Sequence, residues 1–442
     1  MKKLINLPTA TFLVIANMIG TGVFTSLCFQ TGSIHSGFAL LFIWILGGIA
    51  ALCGSLVYSE LATRFPRSGG EYNLLGEIYH PSIGFISGWI SITVGFAAPV
   101  AFNSMILGEY LHHIYPNIQA LKVGVAVVII ISIIHSVSVK FGAQFQNIFT
   151  ILKLSLILLL IGGGFYVSSN EHYPIIANTA AWKDIFSQPY AVSLVFVSYA
   201  FSGWNAASYF ASDIENPRRN IPRAMIFGTL IVLCLYVLLN YTFLQHIPFD
   251  QIGKMDANGP VNPDTGLLAA INIFGPTWGK IYGILFSLAL VASISSMIFA
   301  GPRVTQVMGE DYEFFKFAAL KNKNGAPYVA TLVQMTIALL LMLTSSYESI
   351  LAYIGFTLSL MTLLTVFGIF RVRMKNKEEN TAYKTWLYPV TPIIFLLLSL
   401  WMIHFTIVSK PFISLIGFVT ALSGIAFYYF SPKSNLESKE KV

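Results

Sequence analysis

Apolar runs of about twenty residues recur along the whole chain, and short polar stretches that often contain proline separate them. Because a helix needs roughly 20 apolar residues to cross the hydrocarbon core of a bilayer, the pattern predicts an all-α integral membrane protein with twelve transmembrane helices. A shorter apolar segment, residues 266–274, is predicted to form a small helix on the outer surface. The predicted spans are residues 8–30, 38–63, 83–111, 122–139, 145–168, 190–211, 223–245, 281–300, 328–344, 348–371, 385–408 and 411–430.

Composition favours a membrane protein over a soluble one. Of the 442 residues, 55% are hydrophobic and 10% are charged, whereas a typical soluble domain has roughly 25% charged residues. The apolar start after Lys2 and Lys3 resembles a secretory signal, but no small-residue cleavage site follows, so we expect an uncleaved first span. The three cysteines, Cys28, Cys53 and Cys234, are scattered through apolar spans, which favours buried thiols over disulfides.

The distribution of Lys and Arg predicts the orientation, since these residues concentrate in cytoplasmic loops. With the amino terminus in the cytoplasm, 20 of the 26 Lys and Arg residues fall in cytoplasmic segments, five fall outside, and Lys153 falls within a span. We therefore expect a multi-pass protein of the cell (inner) membrane, embedded in the lipid bilayer with both termini in the cytoplasm. The net charge of +7 follows from this topology, so no nucleic-acid partner is needed to explain it.

Two predicted spans carry glycines in their interior, where glycine costs about 1 kcal/mol relative to alanine. The first span contains "NMIGTGVF", residues 17–24, and the sixth contains "VSYAFSGWNAASYF", residues 197–210. If residues 8–168 and 190–371 are two repeats of five spans, the breaks correspond, and the odd number of spans inverts the second repeat. Paired interruptions of this kind indicate the binding site of a transporter. The alternative is that the glycines only allow close helix packing.

Unwound backbone at membrane depth needs hydrogen-bond partners, and a zwitterionic amino acid offers them at both of its ends. We expect the N–H groups near Thr21 and Gly22 to hold the substrate carboxylate at the positive end of a half-helix. Carbonyl groups near Met18, Tyr199 and Ser202 are expected to hold the ammonium. Asn103, a polar residue midway along the third span, is expected to reach the same pocket. The predicted substrate-binding residues are Asn17, Met18, Gly20, Thr21, Gly22, Asn103, Tyr199, Ser202 and Gly203.

Four motifs resemble those of the amino acid–polyamine–organocation (APC) superfamily of permeases. They are "NMIGTGVF" in the first span, "YSELATRFPRSGGEYNLL" after the second, "FSGWNAASYFASDIENPRRNIPRA" in and after the sixth, and "FAGPRV" at the end of the eighth. The run "MGEDYEFF" departs from the family, which often has Ala-Arg-Asp-Gly there. The resemblance covers about residues 8–430. It implies a LeuT-like fold with a 5+5 inverted repeat and two further C-terminal helices, residues 385–430.

The resemblance also implies roles for individual residues. Tyr199 matches the position of an aromatic gate over the substrate, for which ordinary packing is the alternative. The loop that Glu60 and Glu71 bracket would help to hold the cytoplasmic side closed, or would simply be a solvated charged loop. We expect a single transmembrane domain over residues 1–430 and a cytoplasmic tail over residues 431–442.

Lys153 is unusual because it lies about nine residues into the fifth span, roughly 14 Å deep at ~1.5 Å per residue. A lysine near the bilayer centre costs at least ~3 kcal/mol, and snorkelling to the surface is the alternative. The stretch "NIFTILKLSLI" resembles the fifth helix of sodium-independent family members, in which a lysine amine replaces the ion of sodium-coupled relatives. The resemblance therefore sets Lys153, as a coupling residue, against carbonyls near the first break and the hydroxyls of Ser293 or Ser296.

These features predict a sodium-independent secondary active transporter for amino acids. The middle thirds of spans 1, 3, 6, 8 and 10 contain no Asp or Glu, which favours neutral substrates. Proton symport is favoured, an exchanger follows if Lys153 stays charged throughout, and a non-transporting sensor on the same fold is a further alternative. The sequence contains no H-E-x-x-H, G-x-S-x-G or P-loop motif, so we expect neither an enzyme nor a cofactor. His112 and His113 at an outer helix end are expected to anchor the interface, and no metal site is predicted.

Overall fold

A computed structural model describes residues 5–168, 175–248, 251–252, 265–344, 347–375 and 383–432 of the chain. Lys2, Lys3 and all but the first two residues of the predicted tail 431–442 lie outside this described part. Every regular element within it is helical, and its β-type pairing is one isolated bridge between Ile5 and Ile214. The protein is therefore an all-helical membrane protein, as the apolar pattern predicted.

Seventeen α-helices follow one another along the described residues. They are α1 (Leu7–Met18), α2 (Gly22–Gln30), α3 (Gly37–Arg64), α4 (Glu71–Ile78), α5 (Pro81–Ile90), α6 (Ala97–Ile114), α7 (Ala120–Val137), α8 (Val139–Tyr166), α9 (Thr179–Ile185), α10 (Gln188–Ala200), α11 (Ala206–Tyr209), α12 (Pro217–His246), α13 (Thr265–Asp311), α14 (Tyr328–Thr344), α15 (Tyr347–Lys375), α16 (Val390–Ser409) and α17 (Pro411–Phe430). A π-helical turn, Ser91–Gly95, joins α5 to α6, and a 3₁₀-helix, Glu313–Ala319, follows α13.

Ten helical stretches in the described part are long and apolar enough to cross a membrane, when α1 is counted with α2 and α5 with α6. They coincide with ten of the twelve predicted spans. Most ends lie within a few residues of the predicted ones, but the eighth helix, Thr265–Asp311, is far longer than the predicted span 281–300. The ninth predicted span, α14, is apolar but has only 17 residues. The sixth is divided between α10, with 13 residues, and α11, with four. A continuous apolar stretch therefore does not form a continuous helix in the sixth span.

The two interrupted spans begin in the same way. The side chain of Asn6 caps α1 by accepting a hydrogen bond from the Thr9 N–H at 3.0 Å. Ser187 caps α10 by accepting one from the Tyr190 N–H at 3.3 Å. In each helix a proline stands in the first turn, where it has no hydrogen bond to lose. Local sequence therefore fixes where each half-helix starts.

The first span lies deep inside the helix bundle, and the last span lies at its edge. Of the nine residues of α2, eight are buried, including the whole side chain of Phe24. By contrast, α17 buries only Ser414, Gly417 and Gly424, and it exposes apolar side chains to what would be lipid. The apolar segment 266–274 forms the first part of α13, which kinks at Gly275 (φ 83°). This segment packs inwards, because a Cβ at Gly266 would lie 2.8 Å from the Phe24 ring.

Candidate functional site at two broken helices

The first span breaks between α1 and α2, at Ile19, Gly20 and Thr21. The Oδ1 atom of Asn103 accepts hydrogen bonds from the Thr21 backbone N–H (3.1 Å) and from the Thr21 hydroxyl (2.8 Å). The Nδ2 atom of Asn103 donates to the Pro99 carbonyl at 2.8 Å, which fixes the orientation of the amide. Asn103 is therefore hydrogen-bonded to the break, and it satisfies one of the N–H groups at the start of α2.

Glycine is required at the breaks because the two interrupted spans touch there. Gly203, between α10 and α11, has a φ of 98°, a conformation that favours glycine. A Cβ at Gly203 would lie 2.7 Å from the carbonyl carbon of Asn17, and a Cβ at Gly22 would lie 2.9 Å from the Cα of Ala200. Broken helices and close packing, which the sequence presented as alternatives, therefore occur together.

A tyrosine hydroxyl joins the carboxyl ends of the two half-helices. The Tyr236 hydroxyl on α12 lies 2.8 Å from the Met18 carbonyl oxygen and 3.0 Å from the Ala200 carbonyl oxygen. It has a single proton to donate, so it shares that proton between two carbonyls. The carbonyl of Tyr199 accepts from the Ser202 N–H at 2.8 Å. The sequence analysis missed Tyr236, because an aromatic residue within an apolar span has no distinguishing signal.

A cavity of about 80 Å³ adjoins the second break and reaches Asn17, near the end of α1. Of the predicted residues, Asn17, Tyr199, Ser202 and Gly203 line it. The ring of Tyr199 meets that of Phe102 edge to face at 5.7 Å. The other predicted substrate residues do not line this cavity, and they are Met18, Gly20, Thr21, Gly22 and Asn103. Further polar lining residues that the sequence analysis did not place there are Glu71, Ser87, Ser91, Ser198, Asn205, Ser359, Thr362 and Ser399.

Lys153 on α8 reaches the carboxyl end of α1. Its side chain is buried. Its Nζ atom lies 3.3 Å from the Ala16 carbonyl oxygen and 3.0 Å from the Ser293 hydroxyl, and it also donates a hydrogen bond to the Ile19 carbonyl. Ser293 itself donates to Ile19 at 2.9 Å, and Ser296 donates to Ala16 at 3.4 Å. The three predicted coupling residues thus meet at carbonyls that the helix end leaves without intrahelical partners. Three acceptors match the three N–H donors of an ammonium group.

Charged residues tie the helix ends together on the side of the loop that joins α3 to α4. The Glu60 carboxylate is fully buried and accepts from Arg64 at 3.0 Å, from Arg373 at 2.6 Å and from the Thr385 N–H at 2.6 Å. Arg373 also lies over the ring of Tyr388, with 3.8 Å to its centroid. Glu60 therefore joins the end of α3 to the end of α15 and to the start of the segment before α16.

The same loop and the segment after α11 are tied to the far end of α13. Asp311 accepts from Arg67 at 2.6 Å and from the Tyr72 hydroxyl at 2.5 Å. Burial lowers the pKa of the Arg67 guanidinium, but the hydrogen bond to Asp311 and the charges of Asp311, Tyr72 and Glu310 together outweigh burial, so the pKa lies above the usual value. Arg303 pairs with Asp213, which follows α11. Arg67 thus ties the loop that sequence resemblance associated with a gate to the end of α13, and Arg303 ties the segment after α11 to the same helix.

Glu71, the first residue of α4, lies on the inner face of that loop and lines the cavity. Tyr58 donates to its Oε1 atom at 3.0 Å, Tyr209 donates to its Oε2 atom at 2.5 Å, and Asn205 also donates to Oε1. The sequence analysis placed Glu71 in the loop and not in the cavity, because the residue lies outside every predicted span. Its position beside "SGG" is the only signal in the sequence.

The described residues contain no group of three His, Cys, Asp or Glu side chains that could hold a metal ion. His112 lies within 2.7 Å of the Ile118 carbonyl oxygen near the end of α6. The side chain of His113 lies outside the described part.

Comparison with known proteins gives consistent matches over almost the whole chain. The sequence profile described as "Amino acid permease" matches residues 5–430. The chain is 26% identical to the serine/threonine exchanger SteT of Bacillus subtilis over 438 residues, which cover 97% of each protein. It is 26% identical to the Asc-type amino acid transporter 1 of Mus musculus (97% of this chain, 81% of the relative). It is also 26% identical to the b(0,+)-type amino acid transporter 1 of Homo sapiens (97% and 88%).

Proposed function

Because this chain belongs to the amino acid permease family of the APC superfamily, we propose that it is a sodium-independent transporter that carries neutral amino acids across the cell membrane. The family and its relatives support amino acid transport and a membrane transporter that is not an enzyme. The observation that carries the proposal is the junction of the two broken helices. Gly22 meets Ala200 there, Gly203 meets Asn17, and a cavity adjoins the contact.

We propose that this junction binds the two charged ends of the amino acid. The first N–H groups of α2, near Thr21 and Gly22, are directed to the carboxylate, because helix geometry leaves them without intrahelical partners. The carbonyl ends of α1 and α10 are directed to the ammonium. The protein itself satisfies part of both sets, through Asn103 and Tyr236. Substrate binding therefore exchanges internal hydrogen bonds for hydrogen bonds to the substrate, and Tyr199 closes over the bound molecule.

The architecture that goes with this function has twelve spans in a LeuT-like 5+5 inverted repeat, with α16 and α17 as the two additional helices. Its support is that the broken spans are the first and the sixth, and that both start with a side-chain cap and a proline. The excess of Lys and Arg in the segments assigned to the cytoplasm supports cytoplasmic termini. Neutral substrates are supported by the uncharged side chains of Ser198, Tyr199 and Ser202 at the second break, although the same cavity also contains one acid, Glu71.

Lys153 replaces a bound sodium ion in this proposal. Its ammonium already supplies a positive charge to the carbonyls of Ala16 and Ile19, where a cation would otherwise bind. Because all three of its donors have acceptors, the geometry fits a lysine that stays charged, and we therefore place exchange first. The relative named as a serine/threonine exchanger favours the same coupling. Proton symport, which the sequence favoured, requires Lys153 to lose its proton in another conformation.

The test is uptake of labelled L-serine, L-alanine and L-leucine into proteoliposomes that contain the purified protein. Sodium gradient, pH gradient and internal unlabelled amino acid are varied separately, for the wild type and for Lys153→Ala. Exchange predicts uptake that requires internal amino acid and is indifferent to sodium. Stimulation by an inward proton gradient without internal amino acid assigns proton symport, and strict sodium dependence refutes the proposal. Binding without any uptake identifies a sensor.

A further inference from the structure

Glu71 is a buried acid that belongs to the cavity and to no membrane-spanning helix. It begins α4, its exposed fraction is 4%, and it lines the same cavity as Asn17, Ser202 and Gly203. Asn205, which is bonded to Glu71, follows Gly203 by only two residues. The carboxylate and the second break therefore face one shared space.

The hydrogen bonds around Glu71 fit an ionised carboxylate. Its three partners are the Tyr58 hydroxyl, the Tyr209 hydroxyl and the Asn205 amide nitrogen, and each of them donates. An ionised carboxylate only accepts, and its two oxygens offer about four acceptor positions. Oε1 takes two of the donors and Oε2 takes one, so a position on Oε2 is available.

No cation within the described chain forms an ion pair with this carboxylate. The nearby arginines of the loop are bound elsewhere, Arg64 to Glu60 and Arg67 to Asp311. A buried charge without an opposite charge is expensive. A cationic group that enters the cavity would supply the opposite charge.

We propose that Glu71 is a second subsite, which takes the ammonium group of the amino acid as it leaves the broken helices towards the cytoplasm. This inference depends on the proposed function and its orientation, in which the loop from α3 to α4 is cytoplasmic. At the breaks, the ammonium shares neutral carbonyls with Tyr236. At Glu71 it meets a full negative charge, with the acceptor position on Oε2 open to it. The carboxylate thus draws the substrate from the first site to the inner end of the cavity.

The test compares Glu71→Gln with Tyr209→Phe. The first variant removes the charge and keeps the shape. The second keeps the charge and removes the hydroxyl that donates to Oε2, which leaves that oxygen more accessible to an ammonium group. KM is measured in right-side-out and inside-out membrane vesicles, with L-alanine or L-leucine as substrate. L-lactate or L-2-hydroxyisocaproate, which carry a hydroxyl in place of the ammonium, serve as competitors.

We expect Glu71→Gln to raise KM about tenfold in inside-out vesicles and less than twofold in right-side-out vesicles. The preference for the amino acid over its hydroxy acid falls in parallel, Glu71→Asp restores part of it, and Tyr209→Phe, which keeps the charge, raises KM much less than Glu71→Gln does. If both variants raise KM equally, Glu71 is only a structural latch and the proposal is wrong. Stronger competition by L-lysine than by L-alanine would mean that Glu71 binds the side chain of the substrate and not its α-ammonium group, which also refutes the proposal. Absence of any amino acid uptake by the wild type refutes the proposed function itself.

Discussion

Gly22→Val tests whether contact between the two breaks is needed for substrate binding. In the wild type a Cβ at this position would lie 2.9 Å from both the Cα and the Cβ of Ala200. Cβ atoms are not found that close to a backbone, so α10 has to move away before the two methyl groups of valine fit. Overpacking of this kind costs about 1–3 kcal/mol.

The effect of the Gly22→Val clash on function depends on whether substrate binding brings the two breaks together. If binding requires the breaks to close around the substrate, a cost of about 1–3 kcal/mol weakens binding roughly five- to 150-fold. The control is Gly162→Val in α8, because a Cβ at Gly162 meets nothing within 4 Å. We expect that control to stay within about 0.5 kcal/mol of the wild type.

The assay combines the amount of protein in the membrane, labelled uptake, and the rise in melting temperature when substrate is added. Gly22→Val should reach the membrane, lose most of its uptake, and show no rise in melting temperature with substrate. Gly162→Val should behave as the wild type in all three measurements. If Gly22→Val binds and transports like Gly162→Val, the junction of the breaks is not the substrate site.

Three further substitutions test separate parts of the structure. Tyr236→Phe removes the hydroxyl shared by the Met18 and Ala200 carbonyls, so the melting temperature should fall by the equivalent of about 1–3 kcal/mol. Added substrate should raise the melting temperature of this variant more than that of the wild type. Equal rises in the two proteins contradict a role of these carbonyls in binding. Glu60→Gln breaks a buried ion pair and should destabilise by about 3 kcal/mol, whereas loss of the exposed Lys316–Glu313 pair should cost less than about 1 kcal/mol in the same melting assay. Lys153→Ala should keep its fold, because the Ser293 and Ser296 hydroxyls still donate to Ile19 and Ala16, and circular dichroism with a melting curve checks this.

Much of the helix plan follows from the apolar pattern, and the exceptions have physical reasons. Ten predicted spans coincide with long helices, because length and hydrophobicity alone determine such elements. The sixth span has the same composition but breaks at Gly203, whose φ of 98° is not a helical conformation. Segment 266–274 was predicted from its length as a surface helix, and it packs against Phe24 instead. Sequence pattern identifies an apolar face, but it does not say which neighbour covers it.

Some residues of the candidate site could be identified from the sequence, and others only from the fold. Lys153 could be identified from sequence because a charge within an apolar span is rare, and its depth narrows the choice of partners. Tyr236 and Glu71 could not be identified in this way. A tyrosine in an apolar helix is ordinary, and an acid in a loop is expected to be solvated. Only the fold brings the Tyr236 hydroxyl to two helix ends and turns the Glu71 carboxylate into the cavity.

The contacts at the breaks also set the energy scale of substrate binding. Asn103 occupies the Thr21 N–H, and Tyr236 occupies the Met18 and Ala200 carbonyls. Since a hydrogen bond contributes only about 0.5–1.5 kcal/mol net, replacing an internal partner with a substrate group yields little unless the new partner is charged. A zwitterion brings charge at both ends, whereas an uncharged analogue brings none. If the breaks bind the substrate as we propose, discrimination in favour of amino acids arises from competition with the protein's own neutral partners, and the same competition keeps binding weak enough for release.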